Sequence, residues 1–574
     1  MLRKKERVDV NQMDRLQILL LIIIVMALAI VLKLFNLQVL KGRDYLTIAK
    51  TQHLLVANMK PKRGEIFLDD ANNVNYPLAI NRSYLNLYAI PKSIIEDPLK
   101  ISKKLAETLD VEEELLYNRL SKKEDIYEPI KNKLSIEEIE KIEDLDYQGI
   151  EFLKETYRYY PNNEIGSHLV GYVGYQDDSL VGNYGLEGYW QEELAGQSAT
   201  MIAEKDVYGN VITIGENNNQ NVINGNDLYL TINQAIQHFS CEELQKSVEE
   251  YKATGGTVIV LNPKNGDILA LCNYPDFNPN NYSEVESIDV YNNDAIFLAY
   301  EPGSVFKAMT MAIALDLELV TPETTYFDTG GFEVEDYTIR NSDNKAHGKQ
   351  SMVQVLDESL NTGAAWVAEE INRKRFQTYV ENFGFGQKTG LELNSEVRGD
   401  LSNLDRTGKV FLATASYGQG ITATPIQLIS AFASLANGGY LYKPRIVEKI
   451  VYPSGKEEEI LPELVRKVIS ERTAKKISAM LVSVIESGHA SLAGVEGYYL
   501  AGKTGTAQIA QKGGYSRENT NHTFIGFGPS RDPQFVILTK LESPQRAWSA
   551  LTAAPLFGKI AEFILDYYKI SPER

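Results

Sequence analysis

The sequence predicts an α+β fold, and three observations predict it. An apolar run near the N-terminus is long enough to span a bilayer, a charged helical stretch follows it, and the C-terminal part runs from strands through a helical block back to strands. Strands on both sides of a helical block describe one antiparallel sheet packed against helices. The chain has 574 residues, enough for two or three domains, and its 44% hydrophobic content is that of a folded protein.

Arg3, Lys4, Lys5 and Arg7 precede an apolar run from about Leu16 to Leu32 that is interrupted by Gln17 and resumes past Lys33 with Leu34 and Phe35. As a helix this run crosses a bilayer once. Ala27-Leu28-Ala29 lies inside the run rather than after it, so the expectation is an uncleaved anchor over 16–37 with a cytoplasmic tail over 1–15. Basic residues held inside place everything after about residue 38 outside the cytoplasmic membrane. Pro61 to Phe67 then reads as a turn entering a strand. Residues 92–146 are charged and helical, with Ile101, Leu105 and Leu109 at four-residue spacing on one face. His168 reads as a packed structural histidine. The polar run 217–221 ends this first lobe, 38–225, and a second unit, 226–574, begins near Leu228.

The second unit opens with a hairpin, 256–261 turning through Asn262-Pro263-Lys264-Asn265-Gly266-Asp267 into 268–271. Helices are expected around 304–318, 351–372 and 424–437, strands at 524–527 and 535–538, and a closing helix near 555–568. The two cysteines fall one in an apparent helix (Cys241) and one at a strand end (Cys272). They are too few for a disulfide framework, their pairing cannot be deduced from sequence, and two unpaired buried thiols are the expectation. The formal net charge of −19 argues against nucleic acid, which asks for a basic face. Six histidines without H-E-x-x-H or similar spacing argue against a catalytic metal, and no cofactor motif is present.

Three short pieces carry chemistry: Ser304-Val305-Phe306-Lys307, Ser359-Leu360-Asn361 and Lys503-Thr504-Gly505. A serine and a lysine three apart share a helix face, which sets a nucleophile beside a base and points to acyl transfer. An S-x-x-K arises by chance roughly twice in a chain of this length, and a second one, Ser342-Asp343-Asn344-Lys345, does occur. Context separates them. Ser304 follows Pro302-Gly303 and leads into an apolar run, Ala308 to Leu315, so it sits in the first turn of a buried helix, where free N–H groups favour an oxyanion. Ser342 lies in a polar stretch without apolar periodicity and reads as a surface loop. Ser359 stands between two helical stripes, one with Met352, Val353, Val355 and Leu356, the other with Ala364, Ala365, Val367 and Ile371. Lys503 follows a stretch compatible with a strand.

With these motifs the chain resembles the class B penicillin-binding proteins, membrane-anchored serine D,D-transpeptidases of bacterial cell-wall synthesis. The resemblance also rests on Arg63-Gly64, 168–174, Gly185-Leu186-Glu187, Leu230-Thr231-Ile232, Phe383 to Gly386 with Thr389-Gly390, Tyr417-Gly418-Gln419-Gly420, Thr424-Pro425 and 524–527. It implies an elongated, non-catalytic pedestal of dimerisation type over 38–225 and a transpeptidase domain, serine β-lactamase-like, over 226–574. It implies that Ser304 attacks the penultimate D-Ala carbonyl of a D-Ala-D-Ala stem peptide, Lys307 takes its proton, Ser359 relays a proton and Asn361 holds the peptide amide. Lys503, Thr504, Gly505 and Thr506 would receive the substrate, and the N–H groups of Ser304 and Thr506 would form the oxyanion hole. Two positions depart from the family pattern: Asn233 stands where Asp is common and Asp294 where Arg is common, which puts packing or substrate contacts in question rather than chemistry.

A serine β-lactamase shares the motifs but needs a Glu in E-x-x-L-N, and Gly390 stands three before Leu393-Asn394. A D,D-carboxypeptidase uses the same residues with water as acceptor. An inactive scaffold is disfavoured by the intact motifs. Nothing resembles a glycosyltransferase unit, so a polytopic glycosyltransferase of the division or elongation machinery is the expected partner, and β-lactams the expected inhibitors. Ala553-Ala554-Pro555-Leu556-Phe557 resembles the septal branch more than the elongation branch.

Overall fold

The computed structural model describes residues 15–43, 45, 54–70, 74–176, 179–205, 211–212, 222–511 and 514–574. Arg3, Lys4, Lys5, Arg7 and the loop at 217–221 lie outside them. The described chain falls into two compact units, Met1–Pro61 with Gln197–Ile223, and Lys62–Gly196 with Asn224–Arg574. The first holds helix α1 (Arg15–Phe35) and a three-stranded sheet of Leu54–Met59, Ala199–Lys205 and Val211–Ile212. Twenty-one residues at 1.5 Å each give α1 about 30 Å, the thickness of a hydrocarbon core. Its apolar side chains are exposed along its length.

In the second unit, strand Ile66–Asp69 pairs in parallel with Asp227–Asn233 and antiparallel with Tyr76–Ala89. Most of 38–225 therefore folds as one body with the C-terminal part. Tyr76–Ala89 also carries Ile150–Tyr159 along its other edge. The amphipathic helix Pro98–Leu109 buries Ile101, Leu105 and Leu109 with Leu116 and Leu120 in a small core of their own. The R-G and G-L-E motifs meet in this body: Glu187, fully buried, accepts from Arg63 Nε and Arg158 Nε, both at 2.6 Å, and Arg158 Nη1 donates to the Gly64 carbonyl at 2.7 Å.

The central sheet consists of β1 (Gly255–Leu261), β2 (Ile268–Tyr274), β3 (Ala501–Gln511), β4 (Gly514–Gly528) and β5 (Phe535–Glu542), in the order β2-β1-β5-β4-β3, antiparallel throughout. β3 is an edge strand. Helices α2 (Gln234–Tyr251) and α8 (Ala553–Tyr567) pack together through Phe239 stacked on Phe563 and lie against the sheet. Between them in sequence come α3 (Lys307–Asp316), α4 (Met352–Asp357), α5 (Asn361–Ile371), α6 (Pro425–Ala436) and α7 (Glu471–Glu486). Thr424 and Gln427 form a capping box before Pro425, the chemistry of a helix start, and α6 is buried over nearly its whole length.

Of the two departures from the family pattern, Asn233 serves packing. Asn233 caps α2 through its Oδ1, and its Nδ2 donates to Tyr567 Oη on α8 at 3.3 Å, a bond a carboxylate could not donate. Asp294 is pushed up to about 6 by burial and by Glu542, with Lys540 opposing. Lys540, fully buried, pairs with Glu542 and lies 4.7 Å from the Tyr300 ring.

The cysteines are a correction. Cys241 and Cys272 are joined in a disulfide, with Cα atoms 5.2 Å apart. Gln237, one turn before Cys241 on α2, clamps β2 by donating to the Leu271 carbonyl and accepting from the Leu271 N–H, each at 2.8 Å. That clamp sets the next turn of the helix over Cys272. The contact joins elements 31 residues apart, which no local pattern encodes.

Candidate active site

A short 3-10 turn, Gly303–Phe306, runs directly into α3, so Ser304 and Lys307 share the helix entrance. From Ala308 to Leu315 every residue of α3 is buried, and the helix is held by the core. Two glycines let three segments converge at its start. Gly303 has φ +60°, and Gly418, with φ +76°, lies so close that a Cβ there would stand 2.3 Å from the Gly303 carbonyl oxygen. The Tyr417-Gly418-Gln419-Gly420 motif is thus the floor beneath the Ser304 turn.

Lys307 is buried, and four oxygens surround its Nζ: Ser359 O at 2.5 Å, Asn361 Oδ1 at 2.7 Å, Ser304 Oγ at 3.0 Å and Ser359 Oγ at 3.2 Å. The two carbonyl oxygens can only accept. A neutral amine has two N–H donors and one lone pair. With its N–H groups on Ser359 O and Asn361 Oδ1, the lone pair is left for the Ser304 hydroxyl. Burial, and next the charge of Lys503, push Lys307 well below the ordinary lysine range, which favours that neutral form.

Ser359 bridges α4 and α5 with φ +55°, a left-handed conformation costly for a residue with a Cβ. Its N–H and that of Leu360 close the end of α4 on Leu356 O and Val355 O. The turn aims Oγ between two amines, 3.2 Å from Lys307 Nζ and 3.0 Å from Lys503 Nζ. Lys503 lies on β3, buried, with Thr504 Oγ1 at 3.3 Å. Burial lowers it to about 7, opposed by the negative charge of Asp357.

On the same strand, Gly505 admits the Ser304 turn: a Cβ there would lie 2.9 Å from Val305 Cγ1 and 3.0 Å from the Pro302 carbonyl oxygen. Thr506 Oγ1 is held by buried Ser549, at 3.2 Å from both its Oγ and its N–H. Ser304, Lys307, Ser359, Asn361 and Lys503 are thus one hydrogen-bonded cluster, flanked by Thr504, Gly505 and Thr506.

Sequence reasoning missed four residues around the site. Asp357, two residues before Ser359, accepts from Ser483 Oγ at 2.9 Å, and its other carboxylate oxygen has no hydrogen-bond partner among the described residues. Ser549 and the pair Asp328 and Asn341 had no motif to announce them. A second K-T-G, Lys388-Thr389-Gly390, lies in a loop where Glu396 takes the Thr389 N–H and hydroxyl. The other S-x-x-K, at Ser342, lies on an exposed turn. Among the described residues no group of three or more His, Cys, Asp or Glu side chains is placed to hold a metal ion.

Comparison with known proteins gives the family. Residues 256–562 match the penicillin-binding protein transpeptidase domain, and residues 58–230 the penicillin-binding protein dimerisation domain. The chain is 33% identical to Stage V sporulation protein D of Bacillus subtilis, over 99% of this chain and 88% of that one. It is 29% identical to the probable peptidoglycan D,D-transpeptidase PenA of Neisseria meningitidis, over 87% and 84% of the two chains. Penicillin-binding protein 2X of Streptococcus thermophilus shares the fold, with a TM-score of 0.75 at 24% identity, covering 90% of this chain and 81% of that one. The chain belongs to the penicillin-binding protein transpeptidase family.

Proposed function

We propose that the protein is a peptidoglycan D,D-transpeptidase that works through an acyl-enzyme at Ser304. The observation that carries the reading is the placement of Lys307 Nζ, 3.0 Å from Ser304 Oγ and within hydrogen-bond distance of two carbonyl oxygens, Ser359 O and Asn361 Oδ1. Ser304 attacks the carbonyl of the penultimate D-Ala, and its proton passes to Lys307. The N–H groups of Ser304 and Thr506 hold the oxyanion. Ser359, between the two amines, carries a proton to the departing D-Ala nitrogen, and Asn361 faces the peptide amide. Lys503 and the hydroxyls of Thr504 and Thr506 receive the terminal carboxylate. Edge strand β3 lets the donor peptide add as a further strand. A second stem peptide's amine then attacks the acyl-enzyme carbonyl, forms the cross-link and frees Ser304.

The reading includes a domain division with tail 1–15, anchor 16–37, pedestal 38–225 and transpeptidase domain 226–574. The N-terminus lies inside, the catalytic domain outside, and a polytopic glycosyltransferase docks through the anchor and adjoining pedestal. A septal placement rests on the 553–557 run and on relatives named FtsI. Labelled penicillin is the test. Covalent label on the wild type and none on Ser304→Ala supports the acyl-enzyme, and an unlabelled wild type refutes it. Paired stem peptides then separate cross-linking from simple D-Ala release. Co-purification of the glycosyltransferase that survives Ser304→Ala but not replacement of 16–37 supports the partner.

A further inference from the structure

The helix that begins at Asn361 lacks a cap of its own, since Leu360 offers no side-chain acceptor. Its Thr362 N–H is met instead by Asn341 Oδ1 at 3.2 Å, from the segment just before the exposed Ser342 turn. The neighbouring Arg340 carbonyl accepts from Asn361 Nδ2 at 3.0 Å. Because a carbonyl only accepts, Nδ2 must be the atom that faces it, and Oδ1 is thereby turned to Lys307 at 2.7 Å. The backbone at 340–341 therefore decides which end of the Asn361 amide the lysine meets.

What holds that backbone is Asp328, a carboxylate 1% exposed at the end of strand Thr325–Asp328. Its Oδ2 accepts from Asn341 Nδ2 at 2.8 Å and from the His347 N–H at 3.0 Å. Its Oδ1 accepts from Thr362 Oγ1 and the Gly330 N–H, both at 3.0 Å. Tyr326 Oη lies 3.1 Å from Thr362 Oγ1 and completes the cluster. Four donors converge on one acceptor group, and two of them, Asn341 and Thr362, adjoin Arg340 and Asn361 in the chain.

We propose that Asp328 is a positioning residue for the reaction: through Asn341 and Thr362 it fixes the Asn361 carboxamide in the one orientation that leaves the Lys307 lone pair facing Ser304. The inference rests on the acyl-enzyme reading above. An asparagine at 328 keeps the shape but places an N–H₂ against donors, so at least one of the four bonds is lost and the 340–341 segment is released.

The test is the second-order rate constant for acylation by a fluorescent penicillin in full-length protein. It is measured for wild type, Asp328→Asn, Asn361→Ala and the double variant, with thermal midpoints alongside. Asp328→Asn is expected to acylate about tenfold more slowly, and to add less than twofold to the loss already caused by Asn361→Ala. Losses that multiply, or a folded Asp328→Asn within twofold of wild type, overturn the proposal while leaving the acyl-enzyme intact. Should Asp328→Asn fail to fold, Asn341→Ala takes its place in the same cycle with the same criteria. A wild type that takes no label overturns both readings.

Discussion

Replacing Gly505 by alanine tests the closest approach in the site. The new Cβ would stand 2.9 Å from Val305 Cγ1, 3.0 Å from the Pro302 carbonyl oxygen and 3.3 Å from the Val305 nitrogen, where ordinary contact begins at 3.4 Å. A methyl of valine can rotate; a carbonyl and an amide nitrogen cannot. The strand and the Ser304 turn must therefore separate by about 0.5 Å, and since a misplacement of about 1 Å costs about 100-fold in rate, acylation should slow about tenfold. Overpacking of this kind costs about 1–3 kcal/mol of stability. Stopped-flow acylation and thermal unfolding measure the two effects separately. Gly502→Ala is the comparison, because its Cβ would meet the Phe524 ring at 2.5 Å, away from the nucleophile. It should lose comparable stability and much less rate. Equal rate losses in both variants, or wild-type acylation by Gly505→Ala, would refute the reasoning.

Three other outcomes follow from the geometry. Acylation should fall on the acid side as Lys307 gains the proton that ends its role as base, a limb well below the ordinary lysine range because burial and Lys503 lower it. It should fall on the alkaline side as Lys503, held to about 7 by burial, loses its charge; Asp357→Asn, which removes the charge favouring protonated Lys503, should move that limb to lower pH, and a limb that stays or rises contradicts the assignment. Cys272→Ala opens a crosslink spanning 31 residues and should lower stability by about 3.5 kcal/mol on the chain-entropy scale, with reductant lowering the unfolding midpoint of wild type and not of the variant. Glu187→Ala strands Arg63 and Arg158, both nearly buried, and should cost about 3–5 kcal/mol in denaturant unfolding, with Glu187→Gln between it and wild type.

The parts of the site legible in the sequence are those where a local pattern and a chemical role coincide. Ser304 and Lys307 could be read because helix periodicity puts residues three apart on one face, and the apolar run after them marks a helix that must be buried. Ser359 could be read because two apolar stripes meet there, although nothing in the stripes announced its left-handed backbone. Asn233 was visible as a departure but not as a compensated one, since Tyr567 comes from a helix hundreds of residues away. The disulfide was misjudged for the same reason: Gln237 sets the register of α2 on β2, and a glutamine in a helix carries no such message.

The Ser342 turn sharpens the point. Polar composition correctly placed Ser342 on the surface, and the same composition concealed Arg340 and Asn341 beside it, whose backbone and amide hold the α5 entrance. A polar loop in sequence is an average over residues, whereas hydrogen bonding assigns each one separately: Asn341 is 3% exposed within a turn that is otherwise open to solvent. Motif matching dismissed the segment because its serine is not the nucleophile, yet it supplies the carbonyl that orients Asn361. The physical constraint that could have flagged it is the helix start at Asn361. A buried helix without a capping side chain at its own N-terminus must borrow an acceptor from elsewhere, and here the polar run that precedes α4 supplies it through Asn341.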